Sequence, residues 1–437
     1  SAVGAGRIEV IEAAKQLAVG PDGEKVASIS RGAVVGAGVM GGAVASLMAE
    51  RGIETRLRDL SRDALDETVR SHGAELEKKR RRRRMKSSEA NAAVDRLEVT
   101  TEALGFGRCE LVVEAVAEVM AVKHAVFREL AELMPDDAIL ATNTSSLSVS
   151  EIAEGVPNPE RVVGMHFFNP VRRMPLVEIV RGRHTSDEVV ARVARLALDL
   201  GKTPVVVEDV PGFLVNRLLA PYLDEAVCLL EEGATPERVD RAMKAFGMPM
   251  GPFELLDEVG LDIAGHAGAS MEAGYGERMT ASTFLAPLVE NGDLGKKTGD
   301  GIYRYERKKG GRPKSIGLNP RLPAASSTRA VAMTVPEITD RLILAMVNEG
   351  ARAMAEGVMR SPRELDLATI FGMGFAPFRG GLLSYADDRG AAAIVCRLRE
   401  LGSSPGVAER PGGAARFEPA ARLIDLAETG GAFHEPR

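Results

Sequence analysis

The chain has 437 residues, enough for two or three domains, each with a hydrophobic core of its own. Hydrophobic residues make up 45% of it and charged residues 27%, as in soluble globular proteins, and the net charge of −6 argues against nucleic acid as a partner. The three cysteines lie far apart, which gives no disulfide framework and no metal site, and there is no apolar run long enough for a membrane span and no signal peptide. We therefore expect a cytoplasmic protein.

Residues 1–28 read as an N-terminal linker. A short helix from Arg7 to Leu17 is predicted before a Gly-Pro-Asp-Gly turn at 20–23, and the segment has too few apolar residues for a core. Because the chain begins with Ser1 rather than methionine, we expect a processed or excised piece of a longer polypeptide.

A glycine-rich motif of the form GxGxxG joins a predicted strand to a predicted helix. Its residues are Gly36, Ala37, Gly38, Val39, Met40 and Gly41. Such a loop lets a pyrophosphate approach the backbone at a helix N-terminus. A second predicted strand, Glu54 to Arg58, is followed by Asp59 at the spacing of an acid that binds a ribose diol. That acid would repel a 2′-phosphate, so NAD is favoured over NADP, although Arg58 and Arg62 beside it favour the opposite.

A long helix is predicted roughly from Arg62 to Ser87, and it carries seven consecutive cations at positions 78–84. These charges cover every face of a helix, so part of the run must be solvated. The run is either a solvent-exposed stretch or a patch for a polyphosphate such as coenzyme A. A nucleic-acid or nuclear-targeting role is disfavoured by the acidic remainder of the chain.

Two more apolar runs predict buried strands, Leu111 to Val116 and Ala138 to Ala141. The second is followed by Asn143-Thr144-Ser145-Ser146, a loop rich in hydrogen-bond donors at the ligand-binding edge of a parallel sheet. The loop can equally cap the following helix, with Thr144 or Ser145 as N-cap, and the two roles can hold together with one residue each.

The apolar run at 162–168 contains His166 and is closed by Pro170, which predicts a buried strand ending at the same edge. An imidazole there can take up a proton near neutral pH. Glu178 lies inside the next apolar run, and a buried carboxylate needs a partner, for which we predict His166. The alternative is a hydrogen-bonded core histidine with an unrelated edge-strand acid.

After a last strand, Val205 to Glu208, the pattern changes to helices, predicted at Phe213 to Glu232 and Thr235 to Phe246. Asn216 lies near the start of the first. Lys297 lies in a glycine-rich turn that either binds an anion or is a surface loop, and residues 307–335 look like a linker.

The C-terminal region is an internal repeat of this helical unit. Arg217, Glu225, Glu232 and Gly233 recur 124 positions later as Arg341, Glu349, Glu356 and Gly357. The counterpart of Asn216 is Asp340, so a neutral amide at that position is lost in the second copy. We expect the first copy to serve a site and the second to serve packing.

Together these motifs resemble the 3-hydroxyacyl-CoA dehydrogenase family from about residue 30 to 305. The matching segments are GAGVMG at 36–41, Asn143 to Leu147, Gly164 to Pro170, Pro211 to Arg217 and Met250 to Leu255. The duplicated helical domain is similar to the α-subunit of bacterial fatty acid oxidation complexes. Those proteins carry a hydratase/isomerase domain before the dehydrogenase part, and whether such a domain was removed here or belongs to another chain stays open.

The resemblance implies an α/β fold: a Rossmann-type, mostly parallel sheet followed by a duplicated all-α domain like the C-terminal domain of 6-phosphogluconate dehydrogenase. The predicted domains are an NAD-binding domain at 29–212, a first helical copy at 213–306, a linker at 307–335 and a second copy at 336–437. The resemblance also implies an acyl-CoA substrate, and either a homodimer or a place in a fatty acid oxidation complex.

The resemblance also implies the site residues. The catalytic set is His166 as base, Glu178 as orienting acid, Ser145 and Asn216. The NAD-binding set is Gly36, Gly38, Val39, Met40, Gly41, Asp59, Glu118, Lys123, Asn143, Ser145, Asn169 and Lys297. One departure concerns coenzyme A, because a family serine falls on Glu75 and a lysine on Arg82.

We therefore expect NAD-dependent oxidation of an (S)-3-hydroxyacyl-CoA in fatty acid β-oxidation. The alternatives are a dehydrogenase of the same superfamily acting on a hydroxy acid without coenzyme A, and a non-catalytic NAD-binding scaffold. Acyl chain length is not predicted.

Overall fold

The computed structural model describes residues 18, 26–306, 313–328, 330 and 332–434. The chain divides into two compact units, one ending at Asp209 and the other beginning at Val210. The helix expected from Arg7 to Leu17, the turn at 20–23 and the start of the predicted linker at 307–312 lie outside the described residues. Within the described residues, helices long and apolar enough to cross a membrane are absent.

The first unit is built on an eight-stranded sheet with strand order β3-β2-β1-β4-β5-β6-β7-β8. The strands are β1 (Arg31–Val35), β2 (Glu54–Arg58), β3 (Leu97–Thr100), β4 (Leu111–Glu114), β5 (Ile139–Thr142), β6 (Val162–Phe167), β7 (Leu176–Arg181) and β8 (Thr203–Glu208). Every neighbouring pair is parallel except β6 and β7, which are antiparallel. This confirms the predicted Rossmann-type, mostly parallel sheet. The chain order reverses between β1 and β4, which is where such sheets bind ligands.

Helices cover this sheet and bury its apolar strands. They are α1 (Val39–Glu50), α2 (Arg62–Arg81), α3 (Ser87–Asp95), α4 (Met120–Leu133), α5 (Val149–Ile152) and α6 (Asp187–Asp199). Strand β4 is buried at all four positions, as expected for a strand with helices on both faces. Helix α6 is amphipathic and is capped by Ser186, whose hydroxyl accepts a hydrogen bond from the Val189 amide.

The helix predicted from Arg62 to Ser87 is in fact two helices, since α2 ends at Arg81 and α3 begins at Ser87. Between them Arg83 has a φ of +53°, a left-handed conformation that a continuing helix does not allow. Glu77 pairs with two cations of its own helix, but repulsion among the remaining like charges favours an end here.

The second unit is helical. Its helices are α7 (Val215–Glu231), α8 (Pro236–Phe246), α9 (Pro252–Val259), α10 (Leu261–Tyr275), α11 (Ala286–Glu290), α12 (Val335–Ala355), α13 (Pro362–Ala368), α14 (Leu382–Arg389), α15 (Ala391–Ser403), α16 (Pro405–Ala408), α17 (Gly413–Phe417) and α18 (Ala421–Thr429). A short antiparallel pair, β9 (Tyr303–Glu306) and β10 (Lys314–Leu318), extends into the segment predicted as a linker.

The two long helices of the repeat, α7 and α12, pack against each other and exchange buried ion pairs. The counterparts in the two copies are Arg217 and Arg341, Glu225 and Glu349, and Glu232 and Glu356. Arg217 Nε donates to Glu349 Oε1 at 2.7 Å, and Arg341 Nε donates to Glu225 Oε2 at 2.7 Å. Each arginine therefore bonds the acid of the other copy, the reciprocal relation found at isologous interfaces.

Candidate functional site

The glycine-rich loop between β1 and α1 has the geometry of a dinucleotide site. Gly36 has a φ of +100°, and a Cβ there would lie 2.5 Å from the Ala115 carbonyl oxygen. A Cβ at Gly41 would lie 1.9 Å from the Gly36 carbonyl oxygen, whereas one at Gly38 would meet nothing within 4 Å. The loop thus needs glycine for its turn and leaves open space beside the N-terminus of α1, where a pyrophosphate fits. Val39, the first residue of this helix, is 79% exposed, and Met40 follows it.

Asp59 follows strand β2 and connects this loop to the next segment. Its Oδ2 accepts a hydrogen bond from the Ala37 amide at 2.6 Å, and its Oδ1 accepts one from the Ser61 amide at 2.7 Å. The acid predicted to bind the ribose therefore lies directly beside the glycine-rich loop.

His166 and Glu178 are in contact, with Nδ1 and Oε2 2.8 Å apart. They are paired positions of the antiparallel strands β6 and β7, so their side chains leave the sheet on the same face. His166 is 6% exposed and Glu178 is fully buried. Because a carboxylate accepts, the contact favours the tautomer with the proton on Nδ1, in which Nε2 carries the lone pair.

The loop after β5 is held by two acceptors. Asn143 Oδ1 accepts a hydrogen bond from the Phe167 amide at 2.9 Å, which connects the loop to the end of the His166 strand. Glu118 Oε1 accepts from the Ser145 amide at 2.8 Å and from the Ser146 amide at 3.2 Å. The Thr144 hydroxyl donates to the same oxygen at 2.6 Å.

The prediction that Thr144 or Ser145 caps the next helix is wrong. The N-cap of α5 is Ser148, whose hydroxyl accepts a hydrogen bond from the Glu151 amide at 3.2 Å. The loop residues are instead engaged by Glu118, and Thr144 accepts from the Leu147 amide at 3.0 Å.

A buried ion pair lies behind this loop. Lys123, in the first turn of α4, places its ammonium 2.8 Å from Glu114 Oε1 and 3.3 Å from Glu118 Oε2. Glu114, the last residue of β4, is 0% exposed and also accepts from the Thr142 hydroxyl. No role for Glu114 was predicted from the sequence, although an acid inside an apolar run, the signal that marked Glu178, was present there too.

A basic cavity of about 270 Å³ lies at the end of α2. Its lining consists of Glu50, Glu75, Lys78, Lys79, Arg82, Arg84 and Met85. Glu50 bonds Lys79 across this cavity and also pairs with Arg172, at 2.6 Å, from the segment after β6. Positive charge therefore predominates, but two carboxylates share the cavity.

The remaining predicted site residues fall in different places. Asn169 is exposed in the segment after β6. Asn216 and Lys297 belong to the second unit, where Asn216 is the second residue of α7 and Lys297 Nζ lies 2.5 Å from Asp262 Oδ1. Asp340, the counterpart of Asn216, pairs with an arginine of its own copy at 2.5 Å.

Among the described residues, one group of potential metal ligands comes together, formed by Asp224, Glu225 and Cys228. Arg416 lies 2.5 Å from Asp224 and 2.7 Å from Glu225, and Arg410 contacts both Glu225 and Cys228. Guanidinium charges thus already neutralise these acids, which argues against a cation there.

Two family models match the chain. The model described as 3-hydroxyacyl-CoA dehydrogenase, NAD binding domain, matches residues 32–210, and the model described as 3-hydroxyacyl-CoA dehydrogenase, C-terminal domain, matches residues 212–305.

Solved structures are similar to nearly the whole chain or to about two thirds of it. The 3-hydroxybutyryl-CoA dehydrogenase of Escherichia coli K12 is 27% identical, with a TM-score of 0.77, over 92% of this chain and 99% of that chain. FadB2 of M. tuberculosis is 38% identical, with a TM-score of 0.62, over 64% of this chain and 100% of its own. The dehydrogenase part of multifunctional enzyme 1 from C. elegans is 26% identical, with a TM-score of 0.64, over 91% of this chain and 90% of that chain.

Proposed function

The chain belongs to the 3-hydroxyacyl-CoA dehydrogenase family of NAD-dependent oxidoreductases, and from that premise we propose that it oxidises an (S)-3-hydroxyacyl-CoA to the 3-ketoacyl-CoA. The observation that carries the proposal is the 2.8 Å contact between His166 and Glu178 at the end of β6. A proton acceptor held by a buried acid is what the oxidation of a secondary alcohol requires.

Bound NAD⁺ supplies the hydride acceptor. The chain's own task is to remove the hydroxyl proton, because loss of hydride from C3 otherwise leaves a positive carbon. In the proposed mechanism His166 accepts this proton at Nε2, and Glu178 orients the ring and stabilises the imidazolium that forms. General base catalysis of this kind contributes about 10²–10⁴-fold.

The proposed roles of the polar side chains follow from the resemblance. Ser145 and Asn216 would hydrogen-bond the hydroxyl and the thioester carbonyl, which selects the face of C3 that loses hydride. Asp59, Glu118, Lys123, Asn169 and Lys297 would serve the cofactor, together with the glycine-rich loop and Asn143.

We further propose that the basic cavity at the end of α2 receives the phosphates of coenzyme A. Lys78, Lys79, Arg82 and Arg84 line it, and cationic side chains are the usual ligands of phosphate groups. Glu50 and Glu75 in the same cavity oppose this, since they pair with Lys79 and Lys78, so the contribution of the cavity to binding should be modest.

Turnover of acetoacetyl-CoA with NADH, followed at the NADH absorbance band, tests the reaction directly. The proposal expects rapid turnover of the thioester and little turnover of free hydroxy acids with NAD⁺. The reverse preference would support a dehydrogenase of a hydroxy acid without coenzyme A, and NADH binding without either activity would support a scaffold. Rates across C4 to C16 substrates would then give the chain-length preference and test a place in fatty acid β-oxidation.

The cavity is tested with a matched pair of substrates. The variant R82A/R84A should raise KM for acetoacetyl-CoA and leave KM for acetoacetyl-pantetheine, which lacks the nucleotide phosphates, unchanged. Equal effects on both substrates would contradict a phosphate site, and no effect on either would indicate a merely solvated charge run.

A further inference from the structure

We infer that Glu114 is a positioning residue that sets the loop at 143–146 through Lys123 and Glu118. The inference rests on the proposed function in one respect, namely that Ser145 contacts the substrate. Glu114 itself has no part in the proposed chemistry.

Glu114 occupies a particular place in the sheet. It is the last residue of β4 and is register partner to Val35 of β1 on one side and Thr142 of β5 on the other. The order of the strands reverses between β1 and β4, so this carboxylate lies at the floor of the crevice where such folds bind dinucleotides. A residue at this point can act on the cofactor crevice and the β5 loop together.

Both oxygens of the Glu114 carboxylate accept hydrogen bonds from groups within the protein. Its Oε1 accepts hydrogen bonds from Lys123 Nζ at 2.8 Å and from the Val116 amide at 2.7 Å. Its Oε2 accepts from the Thr142 hydroxyl at 2.7 Å and from Lys123 at 3.0 Å. With 0% of its surface exposed, Glu114 acts on the reaction through its neighbours.

Lys123 connects Glu114 to Glu118. Its side chain is 1% exposed, and its ammonium lies between the carboxylates of Glu114 and Glu118. Two carboxylates compete for one buried cation, so the charge of Glu114 limits how far Lys123 can draw Glu118 away from the loop. Removing that charge should shift the ammonium towards Glu118.

Glu118 is the group that holds the loop. One of its oxygens collects the amides and hydroxyls of Ser145 and Ser146, together with the Thr144 hydroxyl. Burial alone would raise the pKa of Glu118, but the Lys123 charge and these donors outweigh it and hold the pKa below its ordinary value. An ionised acceptor is needed, because a protonated carboxyl would lose part of its capacity for these five contacts.

Amide hydrogen exchange, measured on the full chain, reports how readily the loop at 143–146 opens and does not depend on enzyme activity. In Glu114→Gln, exchange at the Ser145 and Ser146 amides should accelerate about tenfold, because local opening becomes easier. The matched control is Glu110→Gln, at the opposite end of β4. Glu110 accepts from the Ser30 amide, the Ser30 hydroxyl and the Arg31 amide, so the control loses a comparable cluster of bonds away from the loop. Equal acceleration in both variants, or none in Glu114→Gln, would overturn the inference.

Turnover separates positioning from stability. Glu114→Gln should lower kcat about tenfold, whereas Glu110→Gln should lower only the melting temperature. The effects of Glu114→Gln and Lys123→Met on kcat should be non-additive, since both act through Glu118; additive effects would count against the relay.

A gentler variant covers the case in which Glu114→Gln fails to fold. Glu114→Asp keeps the charge but withdraws the carboxylate from Lys123 by one methylene, and it should accelerate exchange at the same two amides to a smaller extent. Unchanged exchange there would overturn the inference. A wild-type chain that does not turn over acetoacetyl-CoA would refute the proposed function, while the exchange measurements would still decide the role of Glu114.

Discussion

At the scale of single residues, the proposed chemistry depends on two positions that face each other across an antiparallel strand pair. His166 and Glu178 are 12 residues apart in sequence but are register partners in β6 and β7, so the backbone sets the distance between them. His166→Gln should leave NADH affinity, measured by fluorescence titration, unchanged. It should lower kcat by about a hundredfold or more, because the base is lost. Near-normal turnover would refute this assignment of the base.

Asp59 has two tasks that one substitution can separate. It is expected to bind the ribose diol, and it also holds the glycine-rich loop through the Ala37 amide. Asp59→Ala should raise KM for NAD⁺ and reduce the preference over NADP⁺, since the repulsion of a 2′-phosphate is removed. Steady-state kinetics with both cofactors measure this, and an unchanged KM ratio would mean that the acid serves the loop alone.

At the scale of elements, hydrophobic runs predicted most strands. The errors were a strand at the edge of the sheet and a helix that ends within a run of like charges. Strand β3 was missed because it is a four-residue edge strand with mostly half-buried side chains, which leaves little alternation to read. The break between α2 and α3 was missed because helix propensity continues through the lysines and arginines, whereas their mutual repulsion does not show in a propensity scale.

The candidate site, too, could be predicted from the sequence only in part. The pairing of His166 and Glu178 could be predicted, since a buried acid needs a partner nearby. The loop held by Glu118 could not, because its donors and acceptor lie 26 to 28 residues apart and meet only when β4 and β5 pair. The family resemblance pointed to Lys123, but only the structure shows its ammonium between two carboxylates.

In the segment after α18, His434 forms ion pairs with one aspartate of α13 and one of α14. His434 Nδ1 lies 2.7 Å from Asp387 and its Nε2 3.3 Å from Asp366. The bonds to Asp366 and Asp387 raise the pKa of His434 to about 9. Because this lies above the unfolded value, the stabilisation is complete below about pH 6.5 and is lost as the pH rises through about 9.

Urea unfolding of wild type and His434→Gln across this range measures the effect. The wild type should be the more stable protein at pH 6.5, and the difference should shrink as the pH passes about 9. A difference that does not vary with pH would assign His434 to packing alone.

At the scale of the whole molecule, the second copy of the helical unit supplies the counter-charges of the first. Arg341 is 2% exposed and bonds Glu225 and Glu232. Arg341→Met should cost about 3–5 kcal/mol of unfolding free energy, because the buried Glu232 carboxylate loses its arginine and Glu225 keeps only Arg410 and Arg416. The exposed pair of Arg422 and Asp425 provides the control, and Arg422→Met should cost about 0–1 kcal/mol. Equal losses in urea unfolding would contradict a special role for the exchanged pairs.

The exchanged pairs also restrict how the two copies can diverge. At apolar contacts between the copies, such as Phe246 against Phe375, either half can accept a substitution of similar volume without a change in the other. At the exchanged ion pairs a change in one half is expected to require a change in the other, so an arginine lost at 341 should be inherited with a neutral residue at 232, while Glu225 stays paired with Arg410 and Arg416. The duplication therefore leaves the two halves dependent on each other for charge, and neither can lose its buried arginine alone without depriving an acid of the other half of an ion-pair partner.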